Sequence, residues 1–315
     1  MVLAGLVGLA IALGLGCTQR FVPTPGNPPP EVAASPSSAP LPVMVRPERP
    51  ESDLPAGIQF FRTDNAGQLA EDGANHVIVF DPRSPELDFK VNLGIAHPLY
   101  AQNPDGSLRR EYVPKRFREL VQDENAQLEG QWPIAAINGD YIDVDDTPQG
   151  LNVSRGVEYA GPFAERRSSF AISGGPPETR QGTIAVGRRD DPALQFNAVG
   201  GNGRFYRQGE FRDICQDLGE MACWRETNRS MAAIAANGQV ILLVNSSTTP
   251  EQVLYPHQFD EVLAGISERL SLGPIQEAML LDGGLSTALY FNGRIYVENL
   301  NPMGSVLLIY AQSPA

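Results

Sequence analysis

An aspartate at the end of an apolar run is the first residue in this sequence whose type and setting could support chemistry. Residues 277–281 read Glu-Ala-Met-Leu-Leu, and Asp282, Gly283 and Gly284 follow them. The run predicts a buried strand, and a carboxylate at its end must leave the core or find donors, since an unpaired buried charge is costly. The glycines allow a tight turn, and the hydroxyl of Ser286 follows. The pattern fits a site at a strand tip, or a hairpin turn with a structural acid.

A second segment has the same arrangement. Residues 133–137 are small and apolar, and they are followed by Asn138, Gly139, Asp140 and Tyr141. An asparagine after a buried strand could bind a sugar hydroxyl, an acetamido group or a phosphate. The alternative is an ordinary turn, because Asn-Gly recurs three times elsewhere in the chain.

Together the two segments resemble the phosphodiester glycosidase family. The resemblance rests on the Leu-Asp-Gly-Gly run at 281–284 with Ser286, and on the Ala-Ile-Asn-Gly run at 136–139 with Pro148 and Gly150-Leu151. Val199-Gly200-Gly201 and Arg229-Ser230 are weaker matches in the family's order. The resemblance covers residues 130 to 310 in outline, and it implies hydrolysis of a sugar 1-phosphodiester.

The resemblance implies that Asp282 faces the anomeric carbon, as nucleophile or as the base that activates water. A phosphomonoester is a good leaving group, so a dedicated acid matters less than in ordinary glycosidases. Asn138 and Asp140 complete the predicted catalytic set. Asp140 departs from the family, which more often has a second glycine before the aromatic residue. It could be a second acid, a metal ligand or a local variation.

Substrate binding is assigned first to Arg229, because a guanidinium presents a fork of donors to phosphate oxygens. Arg166-Arg167 is a second candidate. The arginine-rich composition leaves a surface role open for both, since only Lys90 and Lys115 among 24 basic residues are lysines. The predicted anion cradle adds Ser286 and the amides of Gly283 and Gly284. The remaining predicted substrate-binding residues are Gly139 and Tyr141.

Two other classes of function stay open. One is a non-catalytic, glycan-binding envelope lipoprotein with the same fold. The other is a metal-dependent phosphodiesterase with Asp140, Asp143 and Asp282 as ligands. No cofactor or catalytic metal is predicted; Asp143, Asp145 and Asp146 could form a structural calcium site, and a solvated acidic loop is the alternative.

A serine hydrolase is not expected. Nucleophilic serine catalysis needs a partner histidine, and no Gly-x-Ser-x-Gly turn occurs in the chain. The three histidines are His76, His97 and His257, each in a strand-like or proline-adjacent setting.

The elements that must position these side chains are mostly strands. Alternating or β-branched runs predict strands at Ile58–Arg62, His76–Phe80, Leu87–Leu93, 133–138, 168–173, 182–187, 195–199, 203–207, 231–236 and 239–244. Asn202-Gly203, Asn237-Gly238 and Asn292-Gly293 are typical of hairpin turns. Helices are predicted at Val113–Gln127 and from Phe259 to Leu270. We therefore expect one α+β domain with a mixed or antiparallel sheet and a few helices.

Composition limits the partners. The chain has 315 residues, a net charge of −13 and no basic block, so nucleic acid is not an expected partner. The partner implied by the resemblance is a phosphorylated carbohydrate.

The N-terminal segments predict export. Residues 1–17 are typical of a signal peptide, with Cys17 as the lipidated residue of a membrane-anchored lipoprotein; a cleaved secreted protein and an uncleaved anchor are alternatives. Residues 18–55 form a predicted proline-rich tether, and 56–315 the folded domain. In an oxidising compartment such as the periplasm, Cys215 and Cys223 most simply form a disulfide bond.

Overall fold

Strands dominate the computed structural model, which describes residues 45–47, 54–64, 75–93, 101–102, 108–109, 115–142, 148–159, 167–212, 214–215, 227–247, 252–298 and 301–312. Two α-helices lie in these ranges, α1 (Phe117–Gln122) and α2 (Phe259–Arg269). The strands are β1 (Val45–Pro47), β2 (Ile58–Thr63), β3 (Asn75–Phe80), β4 (Leu87–Asn92), β5 (Ala101–Gln102), β6 (Leu108–Arg109), β7 (Lys115–Arg116), β8 (Ala135–Asn138), β9 (Val153–Ser154), β10 (Val157–Glu158), β11 (Ser168–Ile172), β12 (Gly182–Val186), β13 (Asn197–Gly200), β14 (Asn202–Arg207), β15 (Glu210–Phe211), β16 (Arg229–Ala235), β17 (Val240–Asn245), β18 (Ile275–Leu280), β19 (Leu289–Phe291), β20 (Arg294–Val297), β21 (Pro302–Met303) and β22 (Val306–Ala311).

Three antiparallel sheets contain most of these strands. The large sheet has eight strands in the order β1-β2-β3-β17-β16-β18-β14-β15. The second sheet has the order β20-β19-β8-β22-β4, and the third has the order β10-β9-β13-β11-β12. Two further pairs are β21 with β7 and β5 with β6. The predicted α+β class, with antiparallel sheet and few helices, is confirmed.

The main core lies between the sheets, because alternate side chains of each strand point to opposite faces. In β16, Ala232 and Ile234 pack in this core with Phe60 of the large sheet, Ile137 of the second sheet and Phe170 of the third. The outer face of the large sheet, with Met231 and Ala233 among its residues, packs against α2. The outer face of the second sheet packs against α1.

Helix α2 forms where its sequence predicts it. Phe259, Val262, Leu263 and Ile266 are buried on one face, and Asp260 and Glu261 lie in the first turn, where the helix dipole favours negative charge. Helix α1 is shorter than predicted. Lys115-Arg116 pair with β21 instead of joining the helix. Asp123 then ends the helix in an extended conformation and caps a 3₁₀ turn at Glu124–Ala126.

The predicted hairpins have different outcomes. Asn292 and Gly293 both have positive φ, at 44° and 84°, and connect β19 to β20 as a type I′ turn would. Gly238 has a φ of 87° and connects β16 to β17. The hairpin predicted at Asn202-Gly203 is wrong, because β13 belongs to the third sheet and β14 pairs with β18 in the large sheet. The chain crosses between sheets at this point.

The folded region also begins earlier than predicted. Val45–Pro47 lie within the range assigned to the tether, yet they pair with Phe61–Thr63 at the edge of the large sheet. The predicted signal peptide with Cys17, and Cys223 of the predicted disulfide, lie outside the described residues. Among the described residues, no helix has the length and apolar character needed to cross a membrane.

Candidate active site

Three strand ends meet at the predicted site. After β18, the Leu281 amide donates to the Ser230 carbonyl in β16 at 2.9 Å, and the Asp282 amide donates to the Gly139 carbonyl after β8 at 2.8 Å. Strands β16 and β18 belong to the large sheet and β8 belongs to the second sheet. The backbone at Asp282 therefore links the two sheets, and the two segments singled out in the sequence lie side by side.

Asn138 connects these strand ends through its side chain. Its Nδ2 donates to the Asp282 carbonyl at 2.6 Å, and its Oδ1 accepts from Ser230 Oγ at 2.7 Å and from the Ala288 amide at 3.0 Å. The side chain is completely buried. The polar atoms of Asn138 therefore hold the Asp282 loop in place from behind.

Asp282 itself is 8% exposed at the turn after β18. Its Oδ1 accepts from the Gly283 amide at 2.8 Å. Burial raises its pKa to about 6, while hydrogen bonds from Ser286 and Gly283 and the charge of Arg167 act in the opposite direction. The carboxyl group is therefore poised to change its protonation state near neutral pH, as a general base requires.

The glycine turn supports Asp282, and both of its amides donate within the chain. The Gly283 amide donates to Asp282, and the Gly284 amide donates to the Asn228 carbonyl at 2.9 Å. Gly284 has a φ of 61°, a left-handed conformation that favours glycine. The backbone of Gly139 is also engaged, since its amide donates to the Ser305 carbonyl and its carbonyl accepts from the Asp282 amide.

Asp140 is completely buried beside the loop that carries Gly150 and Asn152. Its Oδ2 accepts from the Gly150 amide at 2.6 Å and from Asn152 Nδ2 at 2.7 Å, whereas Oδ1 has no hydrogen-bond partner within the described structure. Burial raises the pKa of Asp140 to about 7 against the effect of these donors and of Arg167. A Cβ at Gly200 would lie 2.5 Å from the Asp140 Cγ, so a glycine is needed there. The structure thus places Asp140 next to the site, below its surface.

Arg167 is the cation that the carboxylates share. Its charge lowers the pKa of both Asp140 and Asp282. Its guanidinium carbon lies 5.1 Å from the centre of the Tyr141 ring, and the Tyr141 hydroxyl donates to the Leu281 carbonyl at 3.0 Å. Arg167 Nη1 is buried and makes no hydrogen bond to any described part of the chain. A guanidinium in this position could bind a phosphate oxygen.

Arg229, the arginine first assigned to phosphate, is the first residue of β16 and is 7% exposed. It lies opposite Asn245 in β17, and its charge acts on the pKa of Tyr141. The structure therefore brings both arginine candidates close to Tyr141. Ser286, buried at 7% exposure, hydrogen-bonds to Asp282.

Sequence reasoning missed the partners that hold these groups. Asn152 directly follows the Gly150-Leu151 pair of the family resemblance, but its residue type alone does not indicate a role. Ser305, whose Oγ accepts from the Asp140 amide at 3.0 Å, has no local signal in the sequence. In the sequence Ser230 is visible only as part of an Arg-Ser pair, because its hydrogen bond to Asn138 depends on the packing of the two sheets.

Several predicted residues cannot be placed. Arg166, Asp143, Asp145, Asp146 and His97 lie outside the described residues. Within the described ranges there is no group of three or more His, Cys, Asp or Glu side chains arranged to hold a metal ion.

Comparisons with known proteins identify the family and the fold. The family model described as phosphodiester glycosidase matches residues 133–310, which include Asn138, Asp140, Arg167, Arg229 and Asp282. The chain is similar to the catalytic domain of zebrafish N-acetylglucosamine-1-phosphodiester alpha-N-acetylglucosaminidase, auto-inhibited by its pro-peptide. The TM-score is 0.52 at 15% identity, over 86% of this chain and 89% of that domain.

A hypothetical protein from Synechocystis has the same fold, with a TM-score of 0.56 at 14% identity. The match covers 81% of this chain and 62% of that protein, so the chain spans less than two thirds of its length. No curated protein matched the chain. The family match covers more than half of the 315 residues and includes every strand end that forms the site. The chain therefore belongs to the phosphodiester glycosidase family.

Proposed function

We propose that this protein is a hydrolase that releases a sugar from a sugar 1-phosphodiester, with Asp282 as its central catalytic residue. The observation that carries the proposal is the setting of Asp282: a carboxyl group on a turn between two sheets, with a raised pKa of about 6, beside the charge of Arg167. Family membership supports the same reaction.

In the proposed reaction, ionised Asp282 either takes a proton from a water that attacks the anomeric carbon, or attacks that carbon itself. In the second case a glycosyl ester forms on Asp282, and water then hydrolyses this ester to release the sugar and regenerate the carboxylate. The bond between the anomeric carbon and oxygen breaks, and the phosphomonoester leaves with the bonding electrons. Ser286 and the Gly283 amide orient the carboxylate, because both hydrogen-bond to it. Asn138 is a positioning residue, since it holds the Asp282 backbone without reaching the surface of the site.

Arg167 and Arg229 are the proposed phosphate ligands. Arg167 is favoured because its charge reaches both carboxyl groups and its Nη1 donates to no described group. Tyr141, stacked under Arg167, would keep the guanidinium aligned and offer a ring edge to the sugar.

The test compares the purified protein with Asp282→Asn on a panel of sugar 1-phosphodiesters that includes N-acetylglucosamine. Asparagine keeps the shape and the acceptor for Gly283 but cannot act as nucleophile or base. Asp191→Asn is the matched control, because Asp191 is also a turn acid that accepts from a backbone amide, that of Ala193. We expect sugar release by the wild type and by Asp191→Asn, and loss of at least a hundredfold in Asp282→Asn.

Running the reaction in ¹⁸O-labelled water identifies the bond that breaks. Label in the sugar supports the proposed cleavage at the anomeric carbon. Label in the phosphate, together with loss of activity in chelator, would instead indicate a metal-dependent phosphodiesterase. Saturable glycan binding without turnover of any substrate would indicate a binding protein.

We also propose that the protein is exported and anchored by lipid at Cys17. The support is the sequence of residues 1–17 alone. Mass spectrometry of the N-terminal peptide tests this: a diacylglyceryl group on Cys17 supports it, and an unmodified N-terminal methionine contradicts it. The disulfide bond between Cys215 and Cys223 likewise stays a prediction.

A further inference from the structure

A cluster of cationic and aromatic side chains lies outside the site just described. His76 in β3 pairs with Arg62 in β2, and its ring centre lies 5.4 Å from that of Tyr296 in β20. The guanidinium carbon of Arg294, also in β20, lies 4.8 Å from the centre of the same Tyr296 ring. The cluster therefore joins the edge of the second sheet to the large sheet.

His76 is incompletely satisfied in this cluster. It is 6% exposed, and its Nδ1 has no hydrogen-bond partner in the described parts of the chain. Burial and the charges of Arg62 and Arg294 lower its pKa to about 4, so the ring is neutral at physiological pH. A buried polar atom without a partner is uncommon in native proteins, and it is explained if an external group completes the cluster.

The strand register places the cluster in line with the site. Arg62, His76, Val244 and Ser230 form one row across β2, β3, β17 and β16. Directly opposed residues point to the same face of a sheet, and Val244 faces the core between the sheets. Neighbouring strands are about 4.8 Å apart, so His76 lies roughly 10 Å from Ser230. Ser230 in turn contacts Asn138. The cluster thus lies two strands away from Ser230, on the same face of the large sheet.

The chemistry of the cluster suits a phosphorylated sugar. Two guanidinium groups provide donors for phosphate oxygens, and the half-buried Tyr296 ring, with the Arg294 guanidinium over it, lies beside them.

We propose that Arg62, His76, Arg294 and Tyr296 form a second phosphate subsite, which binds the neighbouring phosphodiester of a glycan with repeating phosphate groups. This inference rests on the proposed function for the identity of the substrate. It specifies that the substrate is a phosphoglycan chain with at least two phosphates, and that the protein prefers it to a single sugar phosphodiester.

The first test uses substrates with one and with two phosphodiester groups, and compares the wild type with Arg294→Gln. Arg294 is exposed, so its replacement leaves the core intact. The matched control is Arg212→Gln, an exposed arginine that pairs with Glu210 near the opposite edge of the large sheet. We expect the ratio of kcat/KM for the longer substrate to that for the shorter one to be about ten in the wild type and in Arg212→Gln. In Arg294→Gln we expect a ratio of about one, and an unchanged ratio would overturn the proposal.

The second test does not depend on turnover. The chain has three histidines, so their ring signals can be resolved by NMR and assigned with His97→Gln and His257→Gln. Inorganic phosphate should shift the His76 signals saturably in the wild type and in Arg212→Gln, and much less in Arg294→Gln. No shift in the wild type would overturn the subsite. A shift without turnover of any substrate would support the subsite and count against the proposed function.

Discussion

The setting of Asp282 disfavours its charged form. The unfolded carboxyl group ionises near 3.8 and the folded one near 6, mainly because the group is buried. The folded state therefore holds more protons between these pH values, and the free energy of unfolding falls as the pH rises through this range. A structural turn acid that is stabilised by amides would show the opposite dependence.

We therefore expect Asp282→Asn to increase the stability of the protein above pH 6, on the order of 2 kcal/mol, and to have little effect at pH 4. The measurement is urea unfolding of both proteins at pH 4 and pH 7.5. Asp140 titrates in both proteins, so the difference between their free energies of unfolding reports the titration of Asp282 alone. If Asp282→Asn is less stable at pH 7.5, the residue is a structural turn acid.

Arg167 should set the pH at which Asp282 becomes active. Its charge lowers the pKa of Asp282, so Arg167→Gln should move the acidic limb of the pH profile of kcat/KM to higher pH and raise KM. Arg167→Lys keeps the charge, so the acidic limb should return close to its wild-type pH. KM should stay raised, because lysine lacks the fork of donors that binds phosphate. The profile is measured from pH 4 to pH 9 with one substrate. An unmoved limb in Arg167→Gln would mean that the two groups are not coupled.

Sequence reasoning at the residue scale identified the charged groups better than their partners. Asp282 and Asn138 each follow an apolar run, and a change from apolar to polar residues can be recognised in a single sequence. The pairing of Asn138 Oδ1 with Ser230 links residues 92 positions apart, and no local pattern contains that information. The same limit applies to the choice between Arg167 and Arg229, because the sequence does not show in which direction an arginine side chain points.

At the scale of elements, the site depends on how the end of β8 is attached to the ends of β16 and β18. Asn138 provides that attachment through two hydrogen bonds, one with Ser230 in β16 and one to the Asp282 carbonyl after β18. Local signals predicted the strands themselves, including β8 and most of β18. They failed at Asn202-Gly203, where a turn signal marks a crossing between sheets, because sheet membership depends on distant pairings.

Replacing Asn138 by alanine should therefore lower kcat by more than the loss of stability alone explains. The change leaves buried donors and acceptors without partners, which costs on the order of 2–4 kcal/mol. Asn197→Ala is the matched control: Asn197 is also buried in a strand, donates to the Phe89 carbonyl and accepts from the Arg155 amide.

We expect similar losses of stability in the two variants, and a fall in kcat of about a hundredfold in Asn138→Ala only. The measurements are urea unfolding, and kcat per folded molecule at a temperature where both proteins are folded. An equal fall in kcat in both variants would contradict a positioning role for Asn138.

For the whole molecule, the antiparallel class could be predicted from strand content and turn signals, but the order of the strands could not. The large sheet places β17 between β3 and β16, so strands far apart in the chain become neighbours. The N-terminal boundary was misjudged for a related reason. Val45–Pro47 lie in proline-rich sequence, and a proline is compatible with an edge strand because one side of such a strand forms no ladder bonds.

The extent of the fold can be tested by truncation. Strand β1 covers the outer edge of β2, where Phe61 and Thr63 are buried. A chain that begins at residue 48 lacks β1 and should be less stable than one that begins at residue 40, by about 1–3 kcal/mol. Its open sheet edge should also promote association, which light scattering would detect. The chain from residue 40 should match the full-length protein in urea unfolding, because it retains β1. Equal stability of the two truncated chains would mean that β1 contributes nothing to the fold and that the boundary at residue 56 is adequate.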